Sequence, residues 1–357
     1  MRKFTLIYLA FMLALTPVAS LAASKQKQKN VASNAKVSNA KYTLNKNVTG
    51  KYKLTKHSPS AKLKGSKLNA SRKSNMHVKL RKPVYVQPTE TFEDLYDGNG
   101  PLQLASAKAL VINQYTGEVI YEKNTKEVTP IASVTKLMTA MVVLDAKLPM
   151  DEVLYISEDD IDYLKGTRSR LSVGTALTRA ELLRLALMSS ENRAASALAH
   201  NYPGGIDAFL RAMNRKATSL GMRSTKFYDA TGLDSNNVST AEDLVKMVKT
   251  AYLYDEIRQE STTASQEMSL LNHDYPVNFV NTNALVRAGE WMIGLSKTGY
   301  ISEAGRCLVM QAEISGQSLI IILLDAAGKS TRIGDANRVR KWVENNKTEV
   351  LGEHVSG

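Results

Sequence analysis

The chain has 357 residues, a formal net charge of +13 and one cysteine. A single cysteine, Cys307, excludes an internal disulfide and therefore a small disulfide-stapled fold. The length is sufficient for one large core or two closely packed lobes. The apolar residues around Cys307 predict that this side chain behaves as a buried small hydrophobe.

Residues 1–22 predict a secretory signal peptide. Met1-Arg2-Lys3 is basic, residues 4–15 are apolar, and small residues precede a cut after Ala22. The apolar run is too short and too weakly flanked for a permanent anchor, so an uncleaved membrane helix is the less favoured interpretation. We therefore predict export.

Residues 23–85 predict a lysine-rich disordered linker. Residues 24–83 contain 15 lysines and two arginines but no acidic residue. Such a segment cannot bury enough apolar surface to offset the entropy of ordering. Without the linker and the signal peptide, 28 basic and 34 acidic residues remain, a net charge of −6. The positive charge therefore belongs to the linker and not to the folded domain.

The linker has two open interpretations. It can hold the protein electrostatically on an anionic wall or membrane surface, or it can be a solvated spacer. Nucleic-acid binding is disfavoured because an exported chain rarely meets nucleic acid and the linker has few aromatic residues for base stacking.

The sequence pattern of residues 86–357 predicts one α+β domain whose first element is a β-hairpin. Residues 105–112 read as a strand, residues 113–117 as a turn and residues 118–122 as the return strand. Residues 133–144 follow, and they are apolar on nearly all sides, which predicts a buried helix.

A helical lobe is predicted over about residues 148–275. Thr178 and Glu181 have the spacing of a capping box, and Ser239 and Glu242 repeat that spacing. Helical segments are predicted over residues 182–187, 194–199 and 206–220, and the box at Ser239 and Glu242 is predicted to open a further helix that carries Leu244, Val245 and Val248.

The last part of the chain predicts a β-meander and a terminal helix. Strands are expected over residues 292–297, 307–314 and 319–324, and the final amphipathic helix carries Val339, Trp342 and Val343. Strands adjacent in sequence pair antiparallel, and we expect the helices to cover one face of the sheet and to form a separate lobe.

Ser133 and Lys136 form the copy of Ser-x-x-Lys that we predict to be catalytic. They lie three residues apart, on one face at the start of the apolar helix. Burial there lowers the pKa of the lysine, which can then take the proton of the serine hydroxyl. The same helix end offers a backbone N–H to an oxyanion. The copies at Ser24, Ser33 and Ser38 have no apolar helix behind them and are chance matches.

Ser190 and Asn192 form a Ser-x-Asn pattern between two predicted helices. A hydroxyl group there can relay a proton to a leaving amine, and an amide can hold a substrate carbonyl. Taken alone, the pattern also fits a helix connector rich in capping residues. A second copy, residues 235–237, lies in a polar segment and indicates turn chemistry.

Lys297, Thr298 and Gly299 come at the end of a predicted apolar strand. A cation and a hydroxyl group there can bind a substrate carboxylate. Gly299 lets a substrate approach the backbone closely, and the backbone N–H of Tyr300 can complete an oxyanion hole.

The order Ser-x-x-Lys, Ser-x-Asn, Lys-Thr-Gly is typical of penicillin-binding proteins and class A β-lactamases. On these motifs and their flanks, the chain resembles the low-molecular-weight penicillin-binding proteins of the D-alanyl-D-alanine peptidase family. The resemblance covers roughly residues 106–343 and is carried by residues 130–145, 186–195, 281–283, 297–299 and 305–310.

This resemblance implies a fold of the β-lactamase and transpeptidase type: a five-stranded antiparallel sheet, flanking helices and an active site between sheet and lobe. It implies a periplasmic, serine-type D-alanyl-D-alanine endopeptidase that hydrolyses peptidoglycan cross-links through an acyl-enzyme and is inhibited by β-lactams. The implied roles are nucleophile for Ser133, base for Lys136, proton relay for Ser190, substrate contact for Asn192, and carboxylate binding for Lys297 and Thr298.

Two other functions stay open: a carboxypeptidase that trims terminal D-alanine, and a non-catalytic wall-binding protein. Rapid β-lactam hydrolysis is disfavoured because no glutamate between Asn192 and Lys297 is followed by asparagine four residues later, as the class A pattern requires. The sequence has no ligand cluster typical of a metal site, and we expect no cofactor.

Overall fold

The computed structural model describes residues 100–270 and 273–353, with side chains described as far as residue 346. The predicted signal peptide (residues 1–22), the predicted linker (23–85) and the first residues of the predicted domain lie outside the described residues. The three linker copies of Ser-x-x-Lys lie outside them as well. The boundaries and roles of these segments stay predictions.

The described part of the chain contains eleven strands and eight α-helices. The strands are β1 (Lys108–Asn113), β2 (Val119–Lys123), β3 (Thr129–Pro130), β4 (Val153–Tyr155), β5 (Ala176–Thr178), β6 (Val238–Ser239), β7 (Ser265–Met268), β8 (Val277–Val280), β9 (Met292–Ile301), β10 (Gly305–Ile314) and β11 (Gln317–Ala326). The helices are α1 (Lys136–Asp145), α2 (Arg179–Met188), α3 (Asn192–His200), α4 (Gly205–Ser219), α5 (Ala241–Ala251), α6 (Asp255–Thr262), α7 (Ala284–Ala288) and α8 (Thr331–Glu353). None of these helices is long and apolar enough to cross a membrane.

Strands β2, β1, β11, β10 and β9 form, in that spatial order, one antiparallel sheet. The N-terminal hairpin joins the C-terminal meander because β1 pairs with β11, with Leu110 opposite Ile322. The other strands form three two-stranded ladders, β3 with β6, β4 with β5 and β7 with β8. The predicted five-stranded antiparallel sheet with flanking helices is confirmed.

Helices cover both faces of the sheet, whereas we predicted helices on one face. Along β11, Ile320 and Ile322 belong to the larger core, which includes residues of α1 to α6. Leu319 and Ile321 belong to a second core with Val339 on α8. The side chains of these four consecutive β11 residues are fully buried. The continuous apolar run of this strand is therefore explained by burial on two faces.

The start of the first motif helix differs from the prediction. Ala132–Thr135 forms a 3₁₀ turn, and α1 begins only at Lys136. Ala132 has a φ angle of +47°, which is uncommon for a residue other than glycine. A Cβ atom on Gly232 would lie only 1.9 Å from the carbonyl oxygen of Ala132. Contact with a distant segment therefore shapes the turn that carries Ser133.

One of the two predicted capping boxes forms. Thr178 caps α2, and its side chain and that of Glu181 accept each other's backbone N–H groups. The predicted box at Ser239 and Glu242 is wrong. Thr240 caps α5 instead, one residue later, by accepting the backbone N–H of residue 243. Two hydroxyl residues, Ser239 and Thr240, precede this helix, and the sequence pattern placed the cap on the first of them instead of the second.

The Lys-Thr-Gly motif lies inside a strand and not at its end, which corrects the prediction. β9 continues to Ile301 and pairs with β10, so that Gly299 lies opposite Cys307. Cys307 is fully buried, as predicted, and this burial raises the pKa of its thiol to about 11.

Candidate active site

Lys136 lies at the centre of the first hydrogen-bond network. Its Nζ atom donates to Ser133 Oγ at 3.0 Å, to Asn192 Oδ1 at 2.7 Å and to the carbonyl oxygen of Thr231 at 2.6 Å. The lysine side chain is fully buried. It thereby joins the first two sequence motifs to a carbonyl group that no motif had indicated.

Burial sets the proton affinity of Lys136. Desolvation lowers its pKa from 10.5 to about 7, although the negative charges of Asp229 and Glu191 oppose this shift. An amine with a pKa near 7 is substantially unprotonated at neutral pH and can accept the Ser133 hydroxyl proton. The direction of the shift matches the expectation from the sequence.

Lys297 and Ser190 form a second pair. Lys297 Nζ donates to Ser190 Oγ and to the carbonyl oxygen of Thr298, both at 2.9 Å. Desolvation lowers the pKa of Lys297 well below its usual value, and the positive charges of Lys136 and Arg332 lower it further. A carboxylate that arrives at this site would favour the charged form of Lys297.

Glu191 holds the loop between α2 and α3 in place. Its carboxylate accepts hydrogen bonds from Ser169 Oγ at 2.7 Å and from Arg170 Nε at 3.1 Å. The guanidinium group of Arg170 in turn lies 4.0 Å from the centre of the Phe279 ring. The middle residue of the Ser-x-Asn motif therefore fixes Ser190, which has a left-handed φ angle of +61°.

Gly299 allows β9 to lie against the backbone of Ser133. A Cβ atom on Gly299 would lie 3.0 Å from the backbone nitrogen of Ser133, so glycine permits this approach. The preceding residue, Thr298, donates from Oγ1 to Thr282 Oγ1 at 2.6 Å. The following residue, Tyr300, is 57% exposed.

The second Ser-x-Asn copy contributes more than the predicted turn. The turn is present, because the backbone N–H of Asn236 donates to Asp234 Oδ1 at 2.8 Å. Asn237, however, is fully buried and donates to Thr135 Oγ1 at 3.1 Å. It ties the loop that carries Thr231 to the turn before α1, and so helps to position the carbonyl group that binds Lys136.

Two further residues support the site without any motif to mark them. Thr167 Oγ1 accepts from Asn192 Nδ2 at 3.0 Å, which turns the other end of that amide towards Lys136. Arg332, on α8, donates to the carbonyl oxygens of Gly299 at 2.9 Å and Cys307 at 3.2 Å. Both residues come from segments distant in sequence from their partners, so only packing reveals them.

The structure places the eight predicted site residues together. The first network contains Ser133, Lys136 and Asn192, the second contains Ser190 and Lys297, and β9 carries Thr298, Gly299 and Tyr300. This arrangement places a serine hydroxyl beside a buried lysine of lowered pKa, and a second buried lysine on strand β9.

Residues 97–328 match the peptidase S11 family, described as D-alanyl-D-alanine carboxypeptidase. The chain belongs to this family. The protein is therefore a serine-type DD-peptidase with the fold of the penicillin-binding proteins, as the sequence predicted.

Two relatives and one solved structure give the degree of similarity to this S11 peptidase. The D-alanyl-D-alanine endopeptidase of Pseudomonas aeruginosa is 48% identical over 253 residues, 70% of this chain and 82% of that protein. The D-alanyl-D-alanine endopeptidase of Escherichia coli K12 is 47% identical over 245 residues, 69% of this chain and 79% of that protein. The crystal structure of the Streptomyces K15 DD-transpeptidase has a TM-score of 0.62 at 28% identity, over 67% of this chain and 97% of that chain.

Proposed function

We propose that this S11 peptidase hydrolyses D-alanyl bonds in peptidoglycan cross-links, with Ser133 as nucleophile and Lys136 as general base. The observation that carries this mechanism is the 3.0 Å contact between Lys136 Nζ and Ser133 Oγ. The pKa of about 7 for Lys136 fits a general base that works at neutral pH.

In the proposed reaction, Ser133 Oγ attacks the D-alanyl carbonyl carbon while Lys136 Nζ takes the hydroxyl proton. The backbone N–H groups of Ser133 and Tyr300 are the proposed donors to the oxyanion. Collapse of the tetrahedral intermediate breaks the C–N bond, and Ser190 relays the proton held by Lys136 to the leaving amine. Water then attacks the ester carbonyl carbon of the acyl-enzyme while Lys136 takes a proton from it. The C–Oγ bond breaks, Lys136 returns that proton to Ser133 Oγ, and the acyl product leaves as a carboxylic acid.

Substrate binding is assigned to the second network and to Asn192. Lys297 and Thr298 would bind a carboxylate on the leaving side of the scissile bond, since a buried cation beside a hydroxyl group makes a charge-assisted site. Asn192, which Thr167 holds by its Nδ2 atom, would contact a carbonyl group on the acyl side.

The choice of a cross-link over a terminal D-alanine is supported by similarity. The S11 family is described by its carboxypeptidases, whereas both relatives quoted above are named endopeptidases and share almost half of the aligned residues with this chain. A non-catalytic wall-binding role is disfavoured because it gives no reason for a fully buried lysine beside Ser133.

Digestion of purified muropeptides tests the proposed bond. We expect the enzyme to convert cross-linked dimers into monomers and to release little free D-alanine from pentapeptide monomers, as measured by mass spectrometry. Efficient release of D-alanine with intact dimers would replace the endopeptidase by a carboxypeptidase. No cleavage of either substrate would favour the wall-binding alternative.

The predicted signal peptide and the proposed substrate together support a periplasmic location. Within that compartment, the lysine-rich linker carries a charge of +17 over residues 24–83, beside a remainder of −6. We propose that the linker attracts the enzyme to the anionic wall or membrane surface, and that it takes no part in the chemistry.

Removal of the linker tests this role. A variant that begins near Val84 should match the full mature chain in turnover of small soluble muropeptides. It should bind isolated wall sacculi more weakly at low salt, and the difference should fade as salt rises, since charges are screened within about 10 Å at 0.1 M salt. If both forms bind the sacculi equally at low salt, the linker acts only as a spacer.

A further inference from the structure

A groove of about 890 Å³ lies between α4 and residues 226–228. Arg211 and Arg215 line it from α4, four residues apart and therefore on one face of that helix, and Lys226 lines it from the other segment. No acidic residue of the described part of the chain lines this groove. It therefore concentrates positive charge, although the chain without its signal peptide and linker has 28 basic and 34 acidic residues.

These three cationic side chains have no partner from the protein itself. All three are exposed, and none forms an ion pair or a side-chain hydrogen bond with residues 100–270 or 273–346. Lys216, which follows Arg215 on α4, is by contrast paired with Asp145 at 2.7 Å. Because the groove holds three cations that no described carboxylate neutralises, its charge is complementary to a ligand with carboxylate groups.

Asn214 fixes the two sides of the groove to each other. Its Nδ2 atom donates to the carbonyl oxygen of Phe227 at 2.8 Å, and its Oδ1 atom accepts from the backbone N–H of Phe227 at 3.0 Å. The Phe227 side chain is buried, and the backbone of Lys226 pairs with that of Val238 at 3.0 and 3.1 Å. The groove is therefore formed before a ligand arrives, and binding requires little ordering of its backbone.

Tyr228 connects the groove with the catalytic residues. It lines both the groove and the cavity that Asn192 lines, and it is 52% exposed. Three residues further along the chain, the carbonyl oxygen of Thr231 accepts from Lys136 Nζ at 2.6 Å. Three extended residues span at most about 11 Å. A peptide that occupies the active site can therefore extend into the groove by a few residues.

We infer that this groove binds the carboxylates of a further peptide of the peptidoglycan substrate, one that is joined to the acyl side of the peptide being cut. The inference rests on the proposed function, which places the acyl side at Asn192. A wall peptide is favoured over an acidic partner protein because the groove is continuous with the active site, so one cross-linked molecule can occupy both. The groove then favours cleavage where several peptides are cross-linked together.

The test uses two synthetic cross-linked peptides that carry a third peptide on the acyl side, joined through a bond that is not D-alanyl. In one trimer the third peptide has free carboxylates, and in the other these are amidated. For the wild-type enzyme we expect kcat/KM for the D-alanyl cross-link to be about fivefold higher with the free carboxylates, the upper range for an ion pair at an exposed site. This ratio should fall towards one as salt rises, because exposed charges are screened.

Two variants locate the effect. The groove variant replaces the three cations of the groove: Arg211→Gln, Arg215→Gln and Lys226→Gln. The control variant replaces three exposed lysines that do not line the groove: Lys126→Gln, Lys147→Gln and Lys329→Gln. Both variants lose the same charge and keep the linker, so contacts in the groove distinguish them. The groove variant should bring the ratio close to one, and the control variant should keep the wild-type ratio.

The possible outcomes separate the groove from the proposed function. A ratio near one in the wild-type enzyme, or a ratio that the groove variant retains, would overturn the groove as a substrate site and leave the endopeptidase proposal intact. Failure of the wild-type enzyme to cleave either trimer would instead contradict the proposed function. If thermal unfolding shows that the groove variant does not fold, Arg215→Gln alone provides the second measurement: it should lower the ratio, and an unchanged ratio would overturn the groove site.

Discussion

Ser133→Ala is expected to abolish the covalent adduct that β-lactams form with this enzyme. Ser133 Oγ is the only hydroxyl within hydrogen-bond distance of Lys136 Nζ among the described residues, so its removal leaves the base without a nucleophile. Intact-mass analysis after incubation with a penicillin should show one adduct per wild-type chain and none for the variant.

Ser190→Ala is the natural comparison for this experiment. It removes a serine hydroxyl that contacts Lys297 and not Lys136, so an adduct should still form, at a reduced rate. If the Ser133→Ala protein still forms the adduct in full yield, another residue is the nucleophile, and the proposed mechanism is contradicted.

Lys136→Ala should lower the rate of β-lactam acylation by roughly two to four orders of magnitude, the usual contribution of a general base. In the wild-type enzyme the base works only when unprotonated. Because burial lowers the pKa of Lys136 to about 7, the acylation rate should rise with pH through about 7 and then level off. Stopped-flow measurement of acylation between about pH 5 and 9 gives both the rate loss and the profile.

Lys297→Ala provides the contrast for the second prediction. Lys297 contacts Ser190 and not the nucleophile, so its loss should chiefly weaken capture of a substrate carboxylate and raise KM. If Lys136→Ala acylates at the normal rate across the neutral range, the base is a different group. If the wild-type rate instead falls as pH rises through about 7, the assigned protonation state is wrong.

The amino-acid sequence by itself determined the elements that depend on local pattern. The spacing of Ser133 and Lys136 ahead of an apolar helix, and the apolar strands on either side of Gly299, are short-range features that survive in any packing of the chain. They sufficed to predict the α+β class and the antiparallel meander, and they led to the eight candidate site residues that the fold brings together. The offset cap at Thr240 and the strand that runs through Lys297 show the limit of such patterns, since neighbouring residues can satisfy the same local rule.

Only the tertiary structure decided how the site is held together. The contacts of Lys136 with Asn192 and Thr231 join residues 56 and 95 positions apart, and Arg332 reaches Gly299 across 33 positions. No periodicity encodes such pairs, because they arise when separate elements are packed against one another. The same packing buries Lys136 completely, and the cost of desolvating its charge is what lowers the pKa. The motif therefore indicates which lysine is the candidate base, while the fold around that lysine lowers its pKa into the neutral range.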